Sequence, residues 1–264
     1  MTIQCYRLRV AYDGTAYHGW QEQQDAVTVI GALRCAFEKV FHQSVFILGA
    51  SRTDAGVHAY DQVARCHTVV NIDAQQLCLV WNRVLPRDIV IRTVEKVDPL
   101  FHPWHDVAYK TYWYHVFPSK PFPWCANFGW SYPYPIDRDV LQQCLLLCIG
   151  THDFRSFCTG DRYDTTVRAI DSISVESVLY MKALRISITG RKFMRYMIRR
   201  IIGSAVYAAS HPGVGVASFQ EVFFSRSPRH QFPTAPSRGL LLRKIMYSYD
   251  VHTAHTTYIR KEMI

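Results

Sequence analysis

Bulky apolar residues fall on every second position near the beginning of the chain, and they recur at helical spacing soon afterwards. The alternation over residues 6–12 predicts a strand, which ends at Asp13-Gly14, a pair typical of turns. From Thr28, a suitable N-cap, apolar residues between 30 and 41 repeat at the period of an amphipathic helix. The chain is therefore predicted to begin with a strand and a helix.

Four more elements follow in the first part of the chain. A short apolar run at 45–48 and an alternating stretch at 62–68 predict strands. Asp73 can cap a helix that ends before Pro86, and residues 89–97 alternate as a fourth strand. The order strand, helix, strand, strand, helix, strand is typical of the ferredoxin-like split βαβ arrangement, which is also the RNA-recognition-motif topology. The sequence does not carry the aromatic strand signature of a strict RNA-recognition motif.

The second part of the chain has a less regular pattern. We predict three strands there, at 108–116, 170–178 and 184–188. Two helices are predicted at 140–148 and 193–208. The stretch 118–135 is rich in proline and aromatic residues, which predicts extended or turning chain.

These patterns predict an α+β protein of two domains, residues 1–104 and 105–264. Each domain is expected to be a largely antiparallel sheet with helices on one face, of ferredoxin-like or RRM-like topology, and the two sheets are expected to be continuous. The boundary is placed near residues 99–106.

The chain is basic, with 30 Lys and Arg against 21 Asp and Glu and a formal net charge of +9 over 264 residues. This excess favours a polyanionic partner, because neutralising phosphates releases their condensed counterions. A basic surface that serves only solubility is an alternative that the charge alone leaves open. The hydrophobic fraction of 49% is enough for a folded core.

The cysteines give little support for a metal site. None of the eight forms a Cys-x-x-Cys pair, and Cys144 and Cys148 have the spacing of small apolar residues on one helical face. A zinc site of Cys144, Cys148 and His152 would match no common structural spacing. The first residues lack the apolar core of a signal peptide, and no apolar run reaches membrane-spanning length. We therefore expect a soluble cytoplasmic protein without a metal ion or a membrane partner.

Asp54 lies in the segment Ser51–Ala59, between two predicted strands, with Arg52 and His58 beside it. Such a loop can hold a charged nucleophile or base close to a ligand. Asp is also a frequent turn former, and the residue pattern alone favours that interpretation. Asp61 could form a two-carboxylate acid–base pair with Asp54, as in hydrolases, but the spacing suits a surface residue equally well.

The predicted helix at 193–208 would bring Arg191, Lys192, Arg195 and Arg199 within about one quadrant of its circumference. A solvated basic face is the ordinary interpretation of this pattern, and a phosphate-binding stripe is the functional one. Arg199 lies at the edge of the apolar arc, where a partly buried guanidinium needs a carboxylate partner such as Asp54.

Tyr112 and Tyr114 are predicted on one face of a strand, with Trp113 on the other face. Such aromatic residues usually belong to the core, although a tyrosine facing a cleft can stack on a nucleobase. The sequence has no phosphate-binding loop, no dinucleotide-binding glycine motif, no hydrolase nucleophile elbow and no zinc-protease or zinc-deaminase motif. These absences lead us to expect no cofactor.

Several sequence blocks carry a resemblance to a known family. The segment 12–23, with the sequence YDGTAYHGWQEQ, resembles the first block of the TruA family of tRNA pseudouridine synthases, and 52–59, RTDAGVHA, looks like its catalytic block. Further similar blocks follow in family order across nearly the whole chain, at 82–89, 110–114, 150–154, 193–203 and 239–240.

This resemblance implies isomerisation of uridine to pseudouridine in the anticodon arm of tRNA, at positions 38 to 40. It implies that Asp54 is the catalytic aspartate, that Arg52 helps to flip the target base and that Tyr112 stacks on this base. Arg199 would pair with Asp54, so Asp54, Tyr112 and Arg199 form the expected catalytic set. Arg52, Tyr112, Arg191, Lys192 and Arg195 are the expected substrate-binding residues. The family implies two α+β domains with a continuous sheet, working as a homodimer without metal or cofactor.

The chain departs from the family pattern at a few positions. Ser51 stands where the family usually has Gly, Asp61 where many members have Gly, and the pair Arg195-Tyr196 is unusual for the helix. These departures leave the target position in tRNA open. A catalytically silent RNA-binding protein is the alternative function, and a hydrolase using Asp54 and Asp61 is a more remote one.

Overall fold

The computed structural model describes residues 2–159 and 163–250. The first six elements are β1 (Gln4–Tyr12), α1 (Val29–Phe41), β2 (Phe46–Gly49), β3 (His58–Thr68), α2 (Ala74–Asn82) and β4 (Ile89–Lys96). They are followed by β5 (Val107–Phe117), β6 (Trp130–Ser131), α3 (Arg138–Leu146), β7 (Gly150–Asp153), β8 (Val167–Ile170), β9 (Ser172–Val178), β10 (Ala183–Gly190), α4 (Met197–Ser210), α5 (Gly215–Phe224) and β11 (Leu240–Tyr247).

The chain forms two compact units. Unit 1 comprises Met1–Lys110 and Leu242–Ile264, and unit 2 comprises Thr111–Leu241. Residues 242–250 thus lie in unit 1, whereas the sequence analysis divides the chain once, at 104 and 105. Both changes of unit fall within strands, β5 and β11. Residues 251–264, the end of the predicted second domain, lie outside the described residues.

The sheet of unit 1 confirms the predicted α+β, largely antiparallel class. β1 lies between β3 and β4, and β2 pairs with β3, all antiparallel, which is the ferredoxin-like strand arrangement. β11 adds a strand beside β3. No sequence pattern described above predicts β11, although its buried positions make it part of the core.

The local sequence explains why the first elements form where they do. Leu8 and Val10 in β1 are fully buried, whereas the intervening Arg9 is partly exposed, so the strand has one apolar face. The hydroxyl of Thr28 accepts a hydrogen bond from the backbone of Gly31 at the start of α1. His42, with φ of 50°, ends this helix in the left-handed region.

Unit 2 has a sheet in which β10 lies between β5 and β9, and β6 pairs in parallel with β5. β7 and β8 form a separate antiparallel pair. The helix α4 is buried over most of its length and packs with α3 and α5. It is therefore the central helix of this unit.

The second part differs from the predicted pattern at three places. The strand predicted at 170–178 corresponds to β9, except that Ile170 is the last residue of β8, which pairs with β7 while β9 pairs with β10. The stretch 118–135 contains a 3-10 helix, Pro123–Phe128, and α5 was not predicted.

The helix predicted at 193–208 begins only at Met197. Tyr196 has φ of 62°, a left-handed conformation that a right-handed helix cannot include. Arg191, Lys192 and Arg195 therefore lie on the loop before α4, and the predicted helical basic stripe does not form. The apolar spacing misled the prediction because Met194, on that loop, is also buried.

Candidate active site

Asp54 lies in unit 1 on the loop Ala50–Val57, which joins β2 to β3. The backbone N–H of Val57 donates to the carbonyl of Asp54 at 3.1 Å, and Gly56 has φ of 76°, so residues 54–57 form a turn that needs glycine. Asp54 is half-buried, while Arg52 is exposed. Since the turn uses the backbone of Asp54, it is compatible with a chemical role for the carboxylate.

One side of this loop is held by a glutamine on β3. Gln62, fully buried, accepts from the backbone N–H of Ser51 at 3.1 Å and donates to the carbonyl of Ser51 at 2.6 Å. The Nζ of Lys110 donates to the carbonyl of Ala50 at 2.8 Å. The entry to the loop is therefore fixed by hydrogen bonds to its main chain, which do not depend on the loop's side chains.

The other side of the loop is held by the segment 12–23. A Cβ on Gly14 would lie 2.0 Å from the carbonyl oxygen of Val57, and one on Gly19, with φ of 92°, would lie 2.4 Å from that of Thr53. The N–H of Gly56 donates to the carbonyl of Tyr17 at 3.1 Å. These glycines allow two backbones to approach more closely than any side chain would permit.

Side chains reinforce this contact. The hydroxyls of Tyr12 and Thr53 form a buried hydrogen bond of 2.8 Å, and the ring of Tyr12 stacks on Trp20 at 5.9 Å. The Nδ1 atom of buried His58 lies 3.1 Å from the N–H of Gly14 and 3.0 Å from a carboxylate oxygen of Asp13. This nitrogen accepts from Gly14 when unprotonated and can donate to Asp13 when protonated.

Asp61 is not a surface residue, and the structure contradicts its use as a partner acid for Asp54. It is only 5% exposed, and its carboxylate binds two guanidinium groups, Arg9 at 2.5 Å and Arg92 at 2.9 Å. These residues come from the strands β1 and β4. Each of its two oxygens is bound by a different arginine, so the carboxylate is already engaged, and the hydrolase hypothesis loses its second carboxylate.

Tyr112 lies in unit 2, on β5. Its side chain is 6% exposed and meets the ring of Phe193 edge-on at 5.4 Å. Tyr114 is fully buried on the same strand, whereas Trp113 is partly exposed and lies under the guanidinium of Arg185 at 3.9 Å. The predicted alternation of this strand is confirmed, and Tyr112 contacts the loop before α4.

That loop carries three exposed cations, Arg191, Lys192 and Arg195. The backbone N–H of Arg195 donates to the hydroxyl of Tyr163 at 2.8 Å. The guanidinium of Arg195 lies over the ring of Tyr196 at 4.8 Å. The three cations are exposed, so a phosphate backbone can reach them, but they lie on a loop and not on one face of a helix.

Arg199 and Arg200 occupy the first turn of α4. Arg199 is half-buried, and its Nε donates to the carbonyl of Ala235 at 2.8 Å. Arg200 is 7% exposed, and burial lowers the pKa of its guanidinium. Arg200 is not among the residues predicted from the sequence, although a charged residue between apolar Met197 and Ile201 is a signal of a buried polar site.

Among residues 2–159 and 163–250, no group of three or more His, Cys, Asp or Glu side chains is placed to hold a metal ion. Cys144 and Cys148 are fully buried, and the Nε2 of His152 lies 2.8 Å from the carbonyl of Ile149. In the same described residues, the helices are too short or too polar to cross a membrane.

Comparison with known proteins decides the family. A family model described as tRNA pseudouridine synthase matches residues 9–106 and 146–248, more than half of the chain. The chain belongs to the tRNA pseudouridine synthase family. The "tRNA pseudouridine synthase A" of Thermoanaerobacter sp. (strain X514) is 37% identical over 243 residues, 90% of this chain and 97% of that protein. The "tRNA pseudouridine synthase A 1" of Protochlamydia amoebophila (strain UWE25) is 34% identical over 256 residues, 94% and 98% of the two chains.

Membership of the tRNA pseudouridine synthase family makes the chain an isomerase and supports isomerisation of uridine in tRNA. The residues matched by the family model include Asp54, Arg52 and Arg199, whereas Tyr112 lies between the two matched ranges. Within unit 1 the structure brings Arg52 and Asp54 onto one loop. Within unit 2 it places Tyr112 against the loop that leads to Arg199. The pairing of Asp54 with Arg199 stays a prediction.

Proposed function

We propose that this protein converts uridine to pseudouridine in the anticodon arm of tRNA, at positions 38 to 40, with Asp54 as the catalytic residue. The observation that carries the proposal is the loop Ala50–Val57, in which a half-buried carboxylate lies on a turn held by main-chain contacts on both sides. An aspartate held in this way is suited to act on one reacting atom, because its position costs no reorganisation during the reaction.

The reaction changes no oxidation state. The bond from ribose C1′ to N1 of uracil breaks, a bond from C1′ to C5 forms, C5 loses a proton, and N1 gains one. One ionised carboxylate, as nucleophile or as base, is enough for this chemistry, so the proposal includes no metal and no cofactor.

The target base must leave its stack before Asp54 can reach it, at a cost of a few kcal/mol. Arg52 is exposed beside Asp54 and is suited to enter the space that the base leaves. We assign to Tyr112 the stacking of the extruded base, a contact that stabilises by about 1–3 kcal/mol. Because its ring is 6% exposed in the structure, this assignment requires the ring to become accessible when tRNA binds. We assign to Arg199 the pairing with Asp54, a charge-assisted contact that fixes the direction in which the carboxylate points.

Arg191, Lys192 and Arg195 are assigned to phosphate contacts, because all three are exposed on one loop. Replacing all three by Ala should lower the slope of log Kd against log salt by about 2 to 3, since each phosphate contact contributes about 0.9. Filter binding of tRNA over a range of salt concentrations measures this slope. An unchanged slope would remove these residues from the tRNA surface.

The decisive test uses tRNA labelled with tritium at C5 of uridine, because the reaction releases that proton. Asp54→Asn should abolish tritium release and leave the Kd for tRNA within about threefold, since it removes one charge without changing shape. Asp25→Asn, at an exposed aspartate of the same unit, is the matched control and should release tritium normally. Release by the Asp54 variant would contradict the proposal. No release by the unmodified protein would favour the catalytically silent RNA-binding alternative.

Two further assignments belong to the proposal. Mapping pseudouridine in tRNA from cells that lack the protein tests the target positions, and a loss outside 38 to 40 would correct them without changing the reaction. We also propose a cytoplasmic homodimer, for which sedimentation of the full chain with and without tRNA is the test.

A further inference from the structure

Arg200 lies in α4, directly after the arginine assigned to Asp54, and its guanidinium ends are bound by two distant segments. Its Nη1 donates to the carbonyl of Cys158 at 3.0 Å, and its Nη2 donates to the carbonyl of Pro228 at 2.5 Å. The same Nη2 lies 2.9 Å from the Nε2 of His230. Arg200 is 7% exposed, so these contacts are made away from bulk water.

The segment 228–236 runs along α4 and also contacts Arg199. The N–H of Ala235 donates to the carbonyl of Arg199 at 3.0 Å, while the Nε of Arg199 donates to the carbonyl of Ala235 at 2.8 Å. A Cβ on Gly203 would lie 2.2 Å from the carbonyl oxygen of Pro233. The segment therefore lies directly on the helix backbone, with Arg199 bound to it by both main chain and side chain.

The hydrogen bond from Arg199 to Ala235 determines which edge of the Arg199 guanidinium can bind a carboxylate. A guanidinium offers five N–H donors in a rigid plane, and here the Nε–H is already bound. A carboxylate can then be bound in a fork only by the Nη1 and Nη2 edge. A shift of Ala235 would turn this edge, because the plane rotates with the Nε–H that holds it.

We propose that Arg200 is a positioning residue for Arg199. With His230, it fastens the segment 228–236 to α4, and the carbonyl of Ala235 in this segment orients the guanidinium of Arg199. This inference rests on the proposed pairing of Arg199 with Asp54, and it adds a residue that the reaction needs although it does not contact substrate.

His230 makes this fastening specific. Its Nε2 lies 2.9 Å from both the Nη2 of Arg200 and the carbonyl of Ser156, so it accepts from Arg200 in one neutral tautomer and donates to Ser156 in the other. Burial, together with the charge of Arg200, lowers the pKa of His230. The lowered pKa favours the neutral ring, and its tautomer with the proton on Nδ1 can accept from the guanidinium.

A double-mutant cycle on tritium release tests the inference. Arg200→Gln should lower the single-turnover rate on the order of 10- to 100-fold, as expected for a reacting group displaced by about 1 Å, and leave the Kd for tRNA unchanged. In a chain that already carries Arg199→Ala, the same substitution should change the remaining rate by less than about twofold, because the residue it positions is gone. Long incubations with excess enzyme make the low rates measurable.

The control is Ser204→Ala, one helical turn further along α4. Ser204 is fully buried and its hydroxyl has no partner among the described residues, so this variant should keep the full rate. If Arg200→Gln slows the Arg199→Ala chain as much as it slows the unmodified one, Arg200 does not act through Arg199, and the inference is overturned while the proposed function stands. If Arg199→Ala alone leaves the rate unchanged, the assignment of Arg199 fails, and the inference fails with it.

A second pair of variants covers the case in which Arg200→Gln does not fold. His230→Phe keeps an aromatic ring beside Phe157 and Phe232 but removes the acceptor for Arg200. We expect it to lower the rate on the order of tenfold, and His230→Gln, which restores an acceptor oxygen, to recover most of this loss. Equal rates for the two variants would contradict the role of His230.

Discussion

Gln62 gives the sharpest test of the idea that the loop Ala50–Val57 is held by its main chain. In Gln62→Leu, the backbone N–H and carbonyl of Ser51 both lose the partner seen in the structure, at 3.1 and 2.6 Å, while the side-chain volume changes little. Each buried polar group that loses its partner costs about 1–3 kcal/mol. Because Ser51 is 8% exposed, water can reach it in part, so we expect the lower half of the summed range, about 2–4 kcal/mol.

Urea denaturation measures this loss as a lower midpoint with an unchanged slope. Asp54 is three residues from Ser51, so the single-turnover rate of tritium release should also fall, on the order of tenfold. Gln143→Leu, at an exposed position on α3, is the matched control and should change stability by less than about 0.5 kcal/mol. A Gln62→Leu variant within about 0.5 kcal/mol of the unmodified chain would refute the reasoning.

Two other predictions concern stability and thiol chemistry. Asp61→Asn should destabilise unit 1 by about 2–3 kcal/mol in urea denaturation. This is less than the loss of a partner from a fully buried ion pair, because the side chains of Arg9 and Arg92 are 20% and 33% exposed. No measurable loss of stability would mean that the two arginines do not depend on this carboxylate. Burial raises the pKa of Cys144 to about 12, so at pH 8 this thiol should resist alkylation in the folded chain while exposed Cys35 reacts. Mass spectrometry of partly labelled protein shows which of the two cysteines is alkylated first, and early labelling of Cys144 would contradict its burial.

The first part of the fold could be predicted because its signals are local. The alternation in β1, the cap at Thr28 and the cap at Asp73 each act within a few residues, and the structure contains all three. The ferredoxin-like order then follows from the sequence of elements. By contrast, β11 could not be predicted as part of unit 1, because its partner β3 lies far away in the chain.

The site shows the same limit. The block around Asp54 is recognisable in the sequence, but the pairing of Asp61 with Arg9 and Arg92 depends on the register of three strands. Periodicity also could not reveal the left-handed residue Tyr196, since a single φ value leaves no mark on the spacing of apolar side chains. The family resemblance points to Asp54 as the expected catalytic residue, whereas its surroundings depend on pairing between distant segments.

The close approach of two backbones at Gly14 and Gly19 has a consequence for engineering. The carbonyls of Val57 and Thr53 lie directly against glycines of the segment 12–23. The conformation of the loop 50–57 therefore depends on both segments together. A graft of the loop 50–57 into another scaffold would lose that shape unless the segment 12–23 were moved with it. Conversely, the side chain of Ala55, which is exposed beside Asp54, takes no part in these contacts and can be varied without disturbing them.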